Sequence, residues 1–538
     1  MQKFPPVFLI RRFHGQVRGL DAVIPASSQF EGRFGRIFRA LPHAIFTEDA
    51  LKKLAAAMVA QQEDTPTPET EGDDEENAGP DRTKPAISAG YTYWGQFIDH
   101  DITFDPASSL EKTNDPDALV DFRTPRFDLD NVYGRGPDDQ PYMYHNDGVR
   151  LLLGRKLKGN SKDPNSRDLQ RNKANRALIG DPRNDENVIV SQLHATFIRF
   201  HNRVADLLKA DHSRFGKVQR IVRWHYQWAV LFDFLKTIIG EEMLHAILPH
   251  LKSRNKSVHD TPPNLQFFTR PRNNSFMPVE FSVAAYRFGH SMVRPQYRLN
   301  EITPPEEGVP PGGKDGRIPI FVPDDLKVPS LLGFGALFPE TWALDWSLFF
   351  KMGKAPAFGK RRIQPAYKID TSLVHPLGEL PTPVTGATPH RSLAERNLLR
   401  GLRMRLPSGQ AVAQAVGEYI IPDDQLRVGK ANEDDFKTNP TLKSISPEFE
   451  ENAPLWYYIL AEAQQAFKDN ATPLRLGPVG GRIVGEVFVG LMWYDPHSFL
   501  RQHDCFTPRK DFQNAHGEFG IAELIAQALQ AKDVGDGS

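Results

Sequence analysis

The stretch from Tyr91 to Phe104, YTYWGQFIDHDITF, concentrates side chains that can carry acid–base chemistry. Its apolar residues Trp94, Phe97 and Ile98 follow the i, i+3, i+4 spacing of one buried helical stripe. On that helix Gln96, Asp99 and His100 project to one side. Asp101 is rotated by about 100° from His100 and faces another direction. These adjacent residues are therefore predicted to serve two different sites.

Three segments that could carry chemistry also allow a purely structural interpretation. A lone histidine between two carboxylates, such as His100, is most often a hydrogen-bonded core residue near a helix end. In the segment GDPRNDEN, Arg183 and Glu186 at i, i+3 could form a surface ion pair of little energetic worth. In the segment FSVAAYRFGHSMVRP, His290 lies on an apolar face, where a histidine usually bonds only to backbone. Each motif alone is therefore ambiguous.

A run of oxygen donors follows the first stretch, in the segment TPRFDLDNVYG. Thr124, Asp128 and Asp130 alternate along it, and the backbone carbonyl of Arg126 lies between them. Such a set suits a hard cation that takes six to eight oxygen ligands at roughly 2.3 to 2.6 Å. Because Asp and Asn are also common in turns, the run alone is a weak signal for Ca²⁺.

Taken together and in order, these segments resemble the animal-type haem peroxidases, the superfamily of myeloperoxidase, lactoperoxidase and the cyclooxygenases. WGQFIDHD resembles the distal helix of that family, VYG ends its calcium loop, GDPRNDE matches its G-D-x-R-x-x-E, and YRFGH matches its F-R-x-G-H. The segment ERNLLR resembles a further haem-binding helix, although the GLRMR after it departs from the usual R-D-H-G. The resemblance spans roughly residues 85 to 500 and implies a bacterial-type member.

The resemblance assigns a role to each candidate of the haem pocket. His100 would act as the distal base, Arg183 would stabilise negative charge, and Gln96 would organise distal water or a halide. The cofactor-binding residues implied by the resemblance are His290 as the axial ligand of iron, Asn397 as acceptor of its imidazole proton, and Arg287 and Arg400 as partners of the haem propionates. The implied cofactor is therefore haem b.

Two further features come with the resemblance. Asp99 and Glu186 match positions at which many relatives form esters with the haem, so ester links are a hypothesis here. Asn187 stands where myeloperoxidase has the methionine of a third link, so that link is expected to be absent. The implied calcium ligands are Asp101, Thr124, Arg126 through its carbonyl, Asp128 and Asp130.

The function implied is a haem peroxidase that reduces hydrogen peroxide through a ferryl intermediate and oxidises a small donor, namely halide, thiocyanate or a phenol. A haem-dependent fatty-acid dioxygenase is an alternative, but it would carry a tyrosine three residues before the proximal histidine, where this chain has Arg287. A non-enzymatic adhesion or scaffold protein of the same fold is a second alternative. Such a protein is expected to lose His100 or Arg183, and both are present.

Composition narrows the class of protein further. The chain has 538 residues, of which 66 are Lys or Arg and 67 are Asp or Glu, so the formal charge is −1 and nothing favours nucleic acid. The single cysteine, Cys505, excludes an intrachain disulfide framework. No apolar run reaches the roughly 18 residues of a membrane span. No signal peptide is recognisable, which predicts a cytoplasmic or non-classically exported protein of open oligomeric state.

The predicted fold is mainly α, a single large helical haem-peroxidase domain with few short strands. Residues 1–84 are predicted to be an N-terminal extension that includes an acidic flexible loop at 63–84, and residues 85–538 the catalytic domain. Apolar periodicity predicts helices over about 48–62, 217–248 and 521–532, and a long helix that Asp185 or Asn187 would cap. His194 and His201 on this long helix are interpreted as packing or surface residues.

Overall fold

The computed structural model describes most of the chain. The described residues are 32–62, 87–104, 120–121, 123–252, 257–269, 276–300, 317–325, 329–333, 338–356, 361–386, 388–431, 438–466, 475–502 and 506–533. The predicted acidic loop at 63–84 lies outside them, and so does Cys505. No helix among the described residues is long and apolar enough to cross a membrane.

The predicted fold class is confirmed, because helices form the bulk of the described chain. The α-helices are α1 (Glu48–Met58), α2 (Gly90–Ile102), α3 (Asp130–Tyr133), α4 (Val188–Leu208), α5 (Phe215–Ala229), α6 (Lys236–Ile247), α7 (Thr382–Thr385), α8 (Leu393–Arg403), α9 (Gly409–Val416), α10 (Leu442–Ile445), α11 (Leu455–Gln464), α12 (Pro478–Tyr494), α13 (Phe499–Gln502) and α14 (Ile521–Leu529). A π-helical turn at Val230–Leu235 joins α5 to α6, and another at Glu280–Ala284 leads into a 3₁₀ helix at Ala285–His290.

Two small sheets complete the described fold. In the first, β1 (Gly32–Gly35) lies between β2 (Val120–Asp121) and β3 (Met277–Pro278), antiparallel to β2 and parallel to β3. In the second, β4 (Gln296–Arg298) pairs antiparallel with β5 (Arg317–Pro319). Residues 32–62 therefore pack onto the rest of the chain, since β1 joins a sheet there and α1 contacts α8.

Helices α2 and α4 cross at the centre of the core. The apolar stripe of α2 is buried as predicted, and Phe97 stacks on Phe197 of α4 with ring centroids 4.4 Å apart. The Asn187 side chain accepts a hydrogen bond from the Ile189 backbone N–H, which confirms it as the N-cap of α4. His194 and His201 are fully buried, so their interpretation as packing residues is confirmed and the surface alternative is wrong. These contacts fix the polar face of α2 toward one cavity.

Three predicted helices are shorter or less regular than their periodicity indicated. The predicted helix over 217–248 contains a π turn and a non-helical residue, Gly240, whose φ of 82° only glycine adopts without strain. The helices predicted over 48–62 and 521–532 end at Met58 and Leu529. The helical hydrogen bonds stop at these ends although the predicted helices extended further. Apolar periodicity indicates which residues are buried and does not fix where the backbone leaves the helix.

Candidate active site

One cavity of about 420 Å³ gathers the predicted haem-pocket residues from four separate parts of the chain. Its walls come from α2, from the turn before α4, from the 3₁₀ helix at Ala285–His290 and from α8. The predicted residues that line it are Gln96, Asp99, His100, Arg183, Glu186, Arg287, His290, Asn397 and Arg400. The two histidines contribute from different elements, so the chain builds one polar site and not several scattered ones.

His100 is oriented by a hydrogen bond on the side of the ring away from the cavity's carboxyl groups. Its Nδ1 lies 2.8 Å from Oδ1 of Asn184, so Nδ1 carries the proton and Nε2 keeps a lone pair. Nε2 is 3.9 Å from Oε1 of Glu186, which also lines the cavity. Burial, and then the positive charge of Arg183, lower the pKa of His100 to about 4. A neutral imidazole with a free Nε2 is a suitable proton acceptor.

Asn184 is a positioning residue that the sequence analysis missed, and it contacts the buried packing residue His194. Nδ2 of Asn184 donates to Nδ1 of His194 at 2.9 Å, and both side chains are fully buried. Nε2 of His194 has no hydrogen-bond partner among the described residues. Asn184 therefore connects two imidazoles through one amide. The only available signal was its place directly after Arg183, and nothing in the spacing pointed from there to a residue 84 positions earlier.

Arg183 is held rigidly at the cavity edge. Its Nη2 donates to Oδ2 of Asp181 at 2.8 Å and to the backbone carbonyl of Thr103 at 2.5 Å. The guanidinium also lies over the Phe104 ring, 4.6 Å from its centroid. Arg183 is therefore fixed by its ion pair with Asp181 and not by the surface ion pair with Glu186 that its spacing allowed. A guanidinium held in this way presents positive charge without needing to move.

The two carboxyl groups of the cavity have opposite ionisation tendencies. Burial disfavours the charge of Asp99, but Arg287 and Arg183 outweigh it and lower its pKa. Burial raises the pKa of Glu186 to about 7, although Arg183 opposes this. Gln96 donates its Nε2 proton to Oε1 of Glu186. The cavity therefore holds one ionised carboxyl group, Asp99, and one that is partly protonated near neutral pH, Glu186.

His290 lies on the other side of the cavity and contacts α8. Its Nδ1 is 2.8 Å from Nδ2 of Asn397, so the amide as placed donates to the ring. An amide turned by half a rotation would present its oxygen at the same position and accept the Nδ1 proton, which frees Nε2 for a metal. Burial lowers the pKa of His290 to about 3. Trp456 donates to the backbone carbonyl of Arg287 at 3.2 Å and so supports this segment.

The residues present fit a haem. The half-buried imidazole of His290 is neutral and lines the cavity, as iron ligation requires. Two arginines, Arg287 and Arg400, line the same cavity and could meet the two propionates. Apolar side chains, among them Val283 and Phe288, line it as well, which suits the macrocycle.

A second cluster lies behind α2, on the side that Asp101 faces. Asp101, Asp128 and Asp130 each bring a carboxylate oxygen within 4.8 Å of the others. Thr124 joins them by donating to Oδ2 of Asp128 at 3.0 Å, while the Arg126 backbone N–H donates to the Thr124 carbonyl. The structure thus brings the side chains of four of the five predicted calcium ligands together.

The negative charges of this cluster lie close together and are partly buried. Both carboxylate oxygens of Asp101 and one of Asp130 are buried without a hydrogen-bond partner in the described chain. Burial and the neighbouring carboxylates raise the pKa of Asp101 well above its ordinary value and that of Asp130 to about 8. A cation would remove this cost, because hard carboxylate oxygens in a confined group are what Ca²⁺ binds.

Part of the sequence is similar to a known protein family. Residues 110–311 match the model of the animal haem peroxidase family. Mouse myeloperoxidase is 28% identical over 150 residues, which are 27% of this chain and 18% of that protein. Drosophila melanogaster peroxidasin is 30% identical over 144 residues, which are 26% of this chain and 8% of that protein. The matched part therefore spans less than a fifth of the length of either relative.

Solved structures extend the likeness to the whole fold. Peroxidase A from Dictyostelium discoideum superposes with a TM-score of 0.56 at 15% identity, covering 94% of each chain. The fatty acid alpha-dioxygenase from Oryza sativa superposes with a TM-score of 0.54 at 16% identity, covering 91% of this chain and 78% of that one. At such low identity these superpositions show a shared fold and nothing finer.

Proposed function

Since the chain belongs to the animal haem peroxidase superfamily, we propose that it is a haem peroxidase that reduces hydrogen peroxide and oxidises a small donor. One observation carries the proposal. His100, with a free Nε2, and His290, bonded through Nδ1, line the same cavity, and Arg183 lines it too. A base, a fixed positive charge and an axial ligand are the three parts that peroxide cleavage needs.

The distal residues would handle the proton of the bound peroxide. Nε2 of His100 would accept a proton from one peroxide oxygen and return it to the other as the O–O bond breaks. The Nδ1 proton stays on the ring, where it is donated to Oδ1 of Asn184, so the ring keeps its tautomer through this transfer. Arg183 would stabilise the negative charge on the departing oxygen, and its anchors on Asp181 and Thr103 spare it any reorganisation.

The proximal residues would hold the cofactor. When bound, the haem supplies the redox equivalents that the protein side chains cannot provide. His290, positioned by Asn397 on α8, would bind the iron, and Arg287 and Arg400 would meet the propionates. The donor, which we propose to be halide, thiocyanate or a phenol, and the ferryl route stay predictions.

Two finer features belong to the same proposal. Asp99 and Glu186 both line the cavity and could form ester links to the haem, while Asn187 is engaged as a helix cap and offers no third link. Asp101, Asp128 and Asp130 would bind Ca²⁺ beside α2. Such a site would fix the helix that carries His100, since Asp101 is the next residue along it.

A fatty-acid dioxygenase is the second candidate, favoured by the superposition on the Oryza sativa enzyme. Arg287 stands where that chemistry is expected to need a tyrosine, and its Nη1 lies 3.8 Å from Oδ2 of Asp99. The neighbouring Tyr286 lines the cavity, but its hydroxyl donates to the carbonyl of Gly95 at 3.1 Å. A non-enzymatic scaffold protein is less well supported, because His100 and Arg183 are both held in working positions.

Two consumption assays on haem-loaded protein separate these candidates. We expect hydrogen peroxide to be consumed in the presence of a phenolic donor, with no uptake of dioxygen when a long-chain fatty acid is added. Dioxygen uptake that depends on the fatty acid, with little peroxide turnover, would instead establish the dioxygenase. A haem-loaded protein that is inactive in both assays would support the scaffold.

A further inference from the structure

Arg396 is a cavity-lining cation to which the proposed peroxidase mechanism assigns no role. It lies on α8, one residue before Asn397 and one turn before Arg400, and all three side chains line the cavity. Its side chain is half-buried. Among the described residues, its one hydrogen bond runs from Nη1 to the backbone carbonyl of His390, at 3.3 Å. A guanidinium has five N–H donors, so most of its capacity is unused.

Among the described residues, three acidic groups that lie beside Arg396 in sequence or pair with Arg391 are engaged with other side chains. Glu395 binds His390 at 2.8 Å, with its Oε1 on Nδ1 of the ring. Asp324 and Glu379 both pair with Arg391, at 2.9 Å and 3.5 Å. Burial lowers the pKa of Arg396, and no carboxylate offsets this effect. A partly desolvated cation without a counter-charge favours an anion in the space that it faces.

Apolar residues surround this end of the cavity. Leu393, one turn before Arg396 on α8, lines the cavity together with Leu380 and Val384. Leu380 is tied to the same corner, because its backbone N–H donates to the Arg391 carbonyl at 2.9 Å and its own carbonyl accepts from Nε of Arg391 at the same distance. The corner thus combines an aliphatic wall with a cation that has no ion pair within the described part of the chain.

We propose that Arg396 is the anion-binding group of a substrate subsite that takes an organic carboxylate with an apolar body. This inference rests on the proposed function, because it places such a ligand in the cavity that would also hold the haem. The carboxylate would pair with the guanidinium, and the apolar body would lie against Leu380, Val384 and Leu393. A simple halide would use the charge but not the aliphatic wall.

A haem propionate is the rival partner for Arg396. Four arginines of the described chain line the cavity: Arg287 and Arg400 would meet the two propionates, and Arg183 is held by Asp181, which leaves Arg396 without an assigned partner. The two possibilities differ in what the loss of Arg396 should change. A subsite residue affects the binding of an added ligand, whereas a propionate partner affects the binding and the spectrum of the haem itself.

The test compares two probes of the same size on haem-loaded protein. Hexanoate carries the charge, and hexanamide carries the same chain without it. Dissociation constants are measured by isothermal titration calorimetry at pH 7 for wild type, Arg396→Gln, Arg396→Lys and Arg403→Gln. Arg403 is the matched control, since it lies on the same helix, pairs with Glu48 and does not line the cavity.

We expect wild type and Arg403→Gln to bind hexanoate at least about tenfold more tightly than hexanamide, as a charge-assisted hydrogen bond in a partly buried site implies. Arg396→Gln should lose this preference, and Arg396→Lys should keep part of it. An equal affinity for both probes in wild type, or a preference that survives in Arg396→Gln, would overturn the subsite. So would a shifted Soret band and faster haem loss in Arg396→Gln, since these assign Arg396 to a propionate.

Peroxide reactivity measured on the same preparations separates this inference from the proposed function. A protein that distinguishes hexanoate from hexanamide through Arg396 but does not react with peroxide would refute the peroxidase and leave the subsite in place. A protein that reacts with peroxide but shows no preference for hexanoate would refute the subsite alone.

Discussion

His100 owes its orientation to Asn184, a residue 84 positions further along the chain. At the scale of single residues, the motifs predicted which side chains line the cavity, because the resemblance assigns them in order along the chain. They could not predict Asn184, Asp181 or Trp456, whose roles depend on which backbone segments meet after folding. Positioning residues of this kind are found through distances, since their types are common and their spacing carries no pattern.

Replacing Asn184 by alanine tests the positioning of the distal base. The variant should leave the Nδ1 proton of His100 without an acceptor, so the ring is free to change tautomer or rotate. We expect the rate of the first reaction with peroxide to fall roughly tenfold or more, in line with the loss of one buried hydrogen bond. The measurement is stopped-flow absorbance on haem-loaded protein.

An asparagine outside the cavity provides the control for this variant. Asn452→Ala removes a hydrogen bond to the Ile45 carbonyl, in an exposed part of the chain, and should not change the rate. An unchanged rate in Asn184→Ala would show that His100 needs no support from Asn184.

At the scale of elements, periodicity predicted where helices lie but not how their ends meet. The start of α12 is an example, because its first N–H groups are satisfied by Glu462 from α11 at 3.0 Å and 3.1 Å. A Cβ on Gly477 would lie 2.3 Å from Cγ of Glu462, so the close approach requires glycine there. Nothing in either helical pattern indicated this contact, since it joins residues that belong to separate stripes.

The pH dependence of stability tests the contact at the start of α12. Burial raises the pKa of Glu462 to about 7, against an ordinary value of 4.5, so between these pH values the folded state holds a proton that the unfolded state has lost. Its contribution to stability is therefore lost as pH rises through this window, by roughly 3 kcal/mol in total. Glu462→Gln cannot ionise, so we expect the fall in unfolding free energy between pH 5 and pH 8 to shrink.

The comparison is made by denaturant unfolding at both pH values. Glu241→Gln, at an exposed position beside Lys236, should show the wild-type difference between pH 5 and pH 8. If Glu462→Gln showed the same pH dependence as wild type, the buried carboxyl would not titrate in this window.

At the scale of the whole molecule, composition and periodicity were enough to predict a mainly helical fold, because amphipathic stripes are local. They could not predict that β1 of the N-terminal extension lies between β2 and β3, or that His100 and His290 line one cavity, because both follow from contacts between distant segments. The cluster of Asp101, Asp128 and Asp130 also depends on contacts between distant segments. Its carboxylates come from α2 and from the segment around α3, and only the resemblance linked them.

Calcium removal tests the link between this cluster and the fold. Three carboxylates within 4.8 Å repel one another unless a cation offsets their charge. We therefore expect Ca²⁺ to raise the Tm by a few degrees and a chelator to abolish the gain, since a ligand that binds only the folded state stabilises it. The measurement is thermal unfolding followed by circular dichroism.

A single amide substitution sharpens the calcium test. Asp128→Asn should lose most of the Ca²⁺-dependent gain in Tm, while its Tm in chelator should equal or exceed that of wild type because one repelling charge is gone. Asp139→Asn, beside Arg135 on the surface, should keep the full gain. A full gain in Asp128→Asn would show that Ca²⁺ acts elsewhere.

The most direct measurement is the change of the Soret band after one equivalent of hydrogen peroxide, recorded by stopped flow for haem-loaded wild type, His100→Ala and His212→Ala. His212 is an exposed histidine paired with Asp138, and it serves as the control. The account predicts a fast change in wild type and His212→Ala and a rate lower by at least about a hundredfold in His100→Ala, as expected for the loss of a general base. Equal rates in all three proteins, or bound haem that does not respond to peroxide in any of them, would contradict it.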